Sequence, residues 1–333
     1  MTTLTIAEIG VNHNGELGHA EELVIQAANS GADFVKFQTF KSERVVTESS
    51  KKAFYQTKDG PDNESQFDLL KRLELSPNDF RHLSQFAKQA GIDFLSTGFD
   101  IQDVSFICEL NVPYLKVPSG EITNKPLLDY IGNLGKPVIL STGMSAIDEV
   151  ESAVNCLCQA GLDRTDLTIL HCNSAYPTPY QDVNLKAMLT MGETFGTKFG
   201  YSDHTPGVEV PIAAVALGAT IIEKHFTLDR NLPGPDQNTS LEPTEFSNMV
   251  HSIRNIEAAL GNGEKFVSES ELENRDVVRR SIVAARSIDM GERLTSSNLT
   301  VKRPGKGLSP MAWDSIVGQV SKHCYQKDDF IKP

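Results

Sequence analysis

No run of apolar residues in this 333-residue chain is long enough to span a bilayer. The longest, Val210–Ile222, is broken by Pro211 and Gly218, so no membrane segment is expected. Basic charge is in short supply: 31 Lys and Arg face 44 Asp and Glu, a formal net charge of −13. That argues against a nucleic-acid partner, because a phosphate backbone needs a basic face. The five cysteines (Cys108, Cys156, Cys158, Cys172, Cys324) are odd in number and scattered, which fits reduced thiols better than a disulfide framework. Cys156 and Cys158 lie two apart on an expected helix, point different ways and make a poor metal clip. The opening MTTLTIAEIG has no basic leader segment before its first strand pattern, so a cytoplasmic protein without a signal peptide is expected. The Gly-rich phosphate fingerprint of a dinucleotide-binding sheet is also missing after that first strand.

What is present is alternation. Short β-type runs recur at Leu4–Ile9, Phe34–Phe40, Phe94–Phe99, Tyr114–Val117, Val138–Ser141, Leu167–Cys172, Lys198–Ser202 and Thr220–Phe226. Amphipathic stretches separate them, and Gly31, Gly91 and Gly161 suit the left-handed position that closes a helix. Eight strands alternating with helices over about 260 residues predict an α/β fold of the (β/α)8, or TIM-barrel, type, with a doubly wound sheet as runner-up. The barrel is expected over 1–263 and a charged linker over 264–280. A small, mainly β domain follows over 281–333, with runs at Ser281–Ala285, Leu299–Lys302 and Val317–Val320. One connection is long and polar, residues 41–76 after the second strand. It reads equally as a loop over the barrel mouth or as a solvated excursion.

The stretch from Lys198 to Asp236 organises the reading. Two of its strands end beside histidines, His204 and His225, 21 positions apart with a helix between. In a parallel sheet both strand ends open on one side, so two imidazoles would stand together there, a spacing that suits a divalent metal. Taken singly, each histidine reads as a strand-end cap. Asp203, Glu223, Lys224 and Asp236 crowd the same edge and favour a site. The other strand ends are polar as well: Glu8; Lys36 and Gln38; Thr97 and Phe99; Lys116, Ser119 and Glu121; Ser141; Ser174 and Tyr176; Ser202. Two lysines among hydroxyls suit a phosphate and a carboxylate on one small molecule. Glu8 and Glu121 are candidate acid–base groups.

Taken in order, AEIGVNHNG (Ala7–Gly15), VKFQTF (Val35–Phe40), KVPSGEITN (Lys116–Asn124), HCNSAYPTPYQDVNL (His171–Leu185), GYSDH (Gly200–His204), EKHFTLD (Glu223–Asp229) and PGPD (Pro233–Asp236) closely resemble the sialic acid synthase family. VKRPGKG (Val301–Gly307) resembles that family's C-terminal SAF domain, an antifreeze-like β-clip module. The insertion and the run GVEVPIAAVALGATIIEKHFTLD look most like the bacterial legionaminic acid branch. The resemblance implies condensation of phosphoenolpyruvate with an N-acylated mannosamine-type sugar, either N-acetylmannosamine or 2,4-diacetamido-2,4,6-trideoxymannose. It implies Mn2+ or Mg2+ on His204 and His225, and Glu121 as the acid–base glutamate. Phosphoenolpyruvate contacts would come from Lys36, Thr97, Lys116, Ser119, Ser141 and Ser202. Glu8, Gln38, Phe99, Tyr176 and Asp236 would lie near the sugar. Arg303 would reach the partner's barrel in a domain-swapped homodimer. The chain departs from some N-acetylneuraminate synthases at Ser174, where they have asparagine; Asn173 stands beside it. The competing readings are a metal-dependent aldolase or epimerase on the same barrel, and a non-catalytic carbohydrate-binding protein.

Overall fold

The computed structural model describes residues 2–52 and 64–332. The chain divides into two compact units, Met1–Gly261 and Asn262–Pro333.

In the first unit, eight strands close a parallel barrel in sequential order. They are β1 (Leu4–Gly10), β2 (Phe34–Thr39), β3 (Asp93–Gly98), β4 (Leu115–Val117), β5 (Val138–Ser141), β6 (Leu167–Cys172), β7 (Lys198–Asp203) and β8 (Ile221–His225). The barrel closes where β1 pairs with both β2 and β8, placing Glu8 level with Lys36 and with His225. Strand period two separates two environments. On β2, Lys36 and Gln38 face the interior cavity, while Phe37 between them stacks on Phe94 and meets Phe80 of the helix Pro77–Ala90 edge-on.

Helices follow the strands because their starts and stops are written locally. Ser76 caps the Pro77–Ala90 helix with a capping box to Asp79, and Gly91 ends it in the left-handed conformation. Asp100 caps Ile101–Glu109 through the Asp103 N–H. The long connection after β2 is not a plain excursion: Ser42–Val45 and Gln66–Leu73 are helical. Residues 53–63 of that connection lie outside the described residues.

Between β7 and β8, on the side away from the cavity, Lys224 and Asp203 form an ion pair of 2.5 Å with both side chains fully buried. Asp203 also accepts from the Thr205 N–H and hydroxyl, and Lys224 donates to the Thr205 carbonyl. Each partner immediately precedes one of the two strand-end histidines.

The second unit pairs β9 (Ser281–Ala284) antiparallel to β10 (Leu299–Lys302). A small core of Ile282, Ile288, Leu294, Leu299, Tyr325 and Ile331 lies beneath them. Val317–Val320, expected as a strand, is not one: only Val320 bridges, to Arg293, and the helical turn Trp313–Ile316 runs up to it. The stretch 264–280 carries a helix, Glu269–Val278, with no buried side chain. Among the described residues no helix is long and apolar enough to cross a membrane, and all five cysteines are free.

The Lys224–Asp203 pair generates a stability prediction. Lys224→Met leaves a buried carboxylate without its counter-charge and should cost about 3–5 kcal/mol. The double variant Lys224→Met/Asp203→Asn should be less destabilised than the single one. Urea unfolding of the three proteins checks this, and a double variant worse than the single rejects it.

Candidate active site

A cavity of about 820 Å³ opens at the C-terminal ends of the barrel strands, a size that accommodates two small metabolites together. Its floor is a buried cluster of four charges from four strands. Lys36 Nζ lies 2.6 Å from Glu8 and 3.6 Å from Glu223, and Lys116 Nζ lies 3.9 Å from Glu223. Burial pushes the Glu8 carboxyl up to about 7, against the pull of Lys36, with Glu223 adding to the rise. Burial would also push Glu223 up, but Lys116 and Lys36 outweigh it and hold it below the usual range. For Lys36 burial is likewise outweighed, by Glu223 and Glu8, and its pKa rises; for Lys116 burial wins and the pKa falls. Near neutral pH, Glu8 is therefore the member of the cluster poised to bind and release a proton.

Hydroxyls hold the ammonium groups in place. Lys36 donates to Thr97 at 3.1 Å and Lys116 to Ser141 at 2.7 Å, while Ser202 donates to Glu223 at 3.3 Å. The Ser119 hydroxyl accepts from the Gly143 N–H and contacts Cys172 Sγ. Gln38 donates to Glu8 at 3.2 Å.

The two histidines do meet. Their ring centroids are 5.4 Å apart, and Tyr176 stands 4.2 Å from His204 and 5.9 Å from His225. His204 Nδ1 lies 2.6 Å from the Asn173 carbonyl. A carbonyl only accepts, so Nδ1 carries the proton and Nε2 keeps its lone pair. Burial lowers the pKa of His204; burial and then the His204 charge lower that of His225 well below the ordinary value. Both rings are thus neutral, as ligation requires, and His225 Nδ1 is buried without a hydrogen-bond partner. These features fit a divalent cation. Among the described residues no group of three or more His, Cys, Asp or Glu side chains is arranged to hold one, so the chain offers two imidazoles and leaves the other positions open.

Thirteen of the residues expected from the sequence line this cavity: Glu8, Lys36, Gln38, Thr97, Phe99, Lys116, Ser119, Ser141, Ser174, Tyr176, Ser202, His204 and His225. Three do not. Glu121 sits on the turn Ser119–Glu121 with its carboxylate bonded to Asn124 at 2.6 Å. Asp236 lies just behind the wall: a β-carbon at Gly10, whose φ is +57°, would be 3.2 Å from both Gln38 Nε2 and Glu8 Oε1, and 3.6 Å from Asp236 Oδ2. Burial raises the Asp236 carboxyl to about 6. Arg303 belongs to the second unit, exposed just after β10. Ser174 lines the cavity, whereas the Asn173 side-chain amide donates to the Asp182 carbonyl and its backbone carbonyl accepts from His204. Glu223, named from the sequence only as one of the polar residues crowding that edge and given no role, enters the cluster; its place two before His225 on one strand was the available signal. Gln66, Met144 and Cys172 also line the cavity.

Comparison with known proteins agrees with this architecture. Residues 23–265 match the NeuB family and residues 279–333 match the SAF domain. The chain is 47% identical to the N,N'-diacetyllegionaminic acid synthase of Campylobacter jejuni, over 99% of each chain. It is 49% identical to the enzyme of that name from Legionella pneumophila, over 96% of this chain and 90% of that one. Among solved structures, the N-acetylneuraminic acid synthetase of Leptospira borgpetersenii superposes with a TM-score of 0.73 at 35% identity, covering 82% of this chain and 90% of that one.

The floor cluster predicts anion binding through Lys116. Its hydrogen bond to a charged ligand contributes roughly 1.5–3 kcal/mol, so Lys116→Ala should weaken binding of inorganic phosphate about tenfold to hundredfold. Calorimetric titration of both proteins measures this; unchanged affinity removes Lys116 from the anion site.

Proposed function

This chain belongs to the NeuB family, and on that premise we propose that it is a nonulosonic acid synthase. It condenses phosphoenolpyruvate with 2,4-diacetamido-2,4,6-trideoxymannose, releases phosphate, and yields N,N'-diacetyllegionaminate. The observation that carries this reading is the meeting of two buried lysines and two neutral imidazoles in one cavity. The first pair suits a phosphate ester with a carboxylate. The second suits a cation that polarises an aldehyde. The choice of sugar is supported by the two bacterial relatives, which bear the N,N'-diacetyllegionaminic name. Relatives with other names, among them the human N-acetylneuraminate-9-phosphate synthase at 35% identity, support the broader reaction class. The family match and the names of the relatives favour the synthase over an aldolase or epimerase. A non-catalytic binder would have no use for Glu8 tuned to about 7.

The chemistry assigns each group a task. Lys36 and Lys116 bind phosphoenolpyruvate, with the Thr97, Ser119, Ser141 and Ser202 hydroxyls fixing its orientation. C3 of phosphoenolpyruvate attacks the sugar aldehyde, and Glu8 gives its proton to the carbonyl oxygen as negative charge grows there. Gln38 keeps the Glu8 carboxyl in place through its amide N–H. C2 is left oxocarbenium-like, and the adjacent buried Glu223 carboxylate stabilises that charge. Water adds at C2 and returns a proton to Glu8. The C–O bond to phosphate then breaks as the C2 hydroxyl proton passes to the departing phosphate, leaving the keto acid. Glu121, the acid–base glutamate by resemblance, must turn away from Asn124 to take part. His204 and His225 would hold Mn2+ or Mg2+, which supplies Lewis-acid polarisation of the aldehyde.

The deciding measurement is phosphate release from phosphoenolpyruvate with each candidate mannosamine, together with the product mass. A product equal to both substrates plus water minus phosphate is expected. Phosphate release without the sugar, or a product lacking the pyruvyl carbons, rejects the reading. His225→Ala should keep the wild-type melting temperature within a few degrees, bind no divalent ion by elemental analysis, and release no phosphate. Retained metal in that variant counts against the histidine site.

Arg303 is assigned to the partner subunit's barrel, where its planar donors bind the C2 acylamino group. Mixing inactive Arg303→Ala with inactive Glu121→Gln should restore up to about half the wild-type activity per mixed dimer, since one site in two is intact. Demonstrated subunit exchange without recovery overturns the swap.

A further inference from the structure

Behind the two strand-end histidines, on the side away from the cavity, three side chains form a clasp that the mechanism does not use. Asp203 lies level with Lys224 across the β7–β8 ladder, so His204 and His225 are the next residues along each strand. Asp203 Oδ1 accepts from the Thr205 N–H at 3.0 Å and from the Thr205 hydroxyl at 2.8 Å. This tight turn has His204 at its middle and fixes the backbone on both sides of it. Lys224 Nζ then donates to Asp203 Oδ2 at 2.5 Å and to the Thr205 carbonyl. One ammonium group, carried by the residue before His225, therefore grips both chain neighbours of His204. All three residues are buried, so bulk water does not compete for these bonds.

Other contacts hold each histidine by itself. The His204 carbonyl accepts from the Thr178 N–H and the His225 carbonyl from the Leu241 N–H, both at 2.8 Å. The clasp ties the two strand ends to each other, at the level where the imidazoles leave the backbone. That matters because the imidazoles, whose centroids are 5.4 Å apart, have no attraction for each other as neutral rings. Their separation has to be set from behind. A buried ion pair adds little net stability, since desolvation offsets most of its attraction; what it does supply is fixed geometry.

We propose that Asp203, Thr205 and Lys224 are positioning residues for the two imidazoles, setting the affinity for a divalent cation without touching it. This rests on the two-histidine cation site of the reading above. With two protein ligands, binding depends on both lone pairs converging on one point before the ion arrives. A strand end free to shift would spread them, and the ion would have to draw them together at the expense of its own affinity.

The test is calorimetric titration of the metal-free whole protein with Mn2+, at a temperature where every variant is folded by circular dichroism. Two variants are compared with wild type. Thr205→Val is isosteric and keeps the ion pair, and Lys224→Met/Asp203→Asn removes both charges together. In an almost fully folded population, lost stability alone leaves a dissociation constant unchanged. Both variants should nevertheless bind Mn2+ more weakly, the double variant about 10–100-fold, with inorganic phosphate affinity within about threefold of wild type. Excess Mn2+ should return phosphate release to near the wild-type kcat. Wild-type Mn2+ affinity in either variant, whatever its melting temperature, makes the clasp purely structural and overturns the inference. Equal loss of Mn2+ and phosphate affinity also overturns it, because that marks a general loosening of the barrel mouth. A wild-type protein that binds no Mn2+, or His225→Ala binding it as wild type does, overturns the histidine site itself, and this inference with it.

Discussion

Everything in the cavity depends on four charges buried together at the barrel floor, Glu8, Lys36, Glu223 and Lys116. Either lysine alone in that interior would lose its proton or destabilise the fold, because desolvation opposes a lone charge. Each carboxylate alone would stay protonated. Together they keep one another charged, and because they arise from β1, β2, β4 and β8 they span the seam where the barrel closes. The cluster is near neutral when all four are ionised and becomes net positive when Glu8 takes a proton. An incoming anion is therefore bound most favourably by the form that also holds the proton for the next step.

The barrel supplies this floor, and the connections supply part of the wall above it. Hydroxyls and imidazoles come from strand ends, where backbone hydrogen bonds fix position. The wall beside Phe99 comes from a helix inside a long insertion, held by its own small apolar cluster. The charged floor is strand-borne, and that part of the wall is not.

Much of this was legible in the chain. Alternation of β-type runs and capped helices predicts the barrel, and residues spaced by two, such as Lys36 and Gln38, fall inside as strand geometry demands. His204 and His225 come together for the same reason. What was not legible depends on contacts between distant segments. Leu69 and Leu73 read as part of a polar loop because their partners, Val11 and Phe40, lie 29 residues or more away in sequence. Glu223 read as one polar residue among several because its partners, Lys36 and Lys116, sit on strands remote in the chain. Glu121 is placed by its motif among the site residues, but here its carboxylate accepts from the Asn124 amide and does not line the cavity, a local contact that no pattern in the chain announces. Val317–Val320 has β-type residues, but its pairing with the 291–294 backbone is confined to the surroundings of one bridge, Arg293 to Val320, too short to make a strand.

The Lys224–Asp203 pair has a consequence for how the last strands find each other. In a parallel ladder a slip of one residue exchanges inside for outside. Here a slipped β8 would turn Lys224 toward the cavity, bury Glu223 or His225 among the outer helices, and strand Asp203 without a counter-ion. Hydrophobic strands tolerate wrong pairings at modest cost, but this one does not. The pair works as a checksum on chain assembly: only the alignment that neutralises it also brings the two imidazoles level.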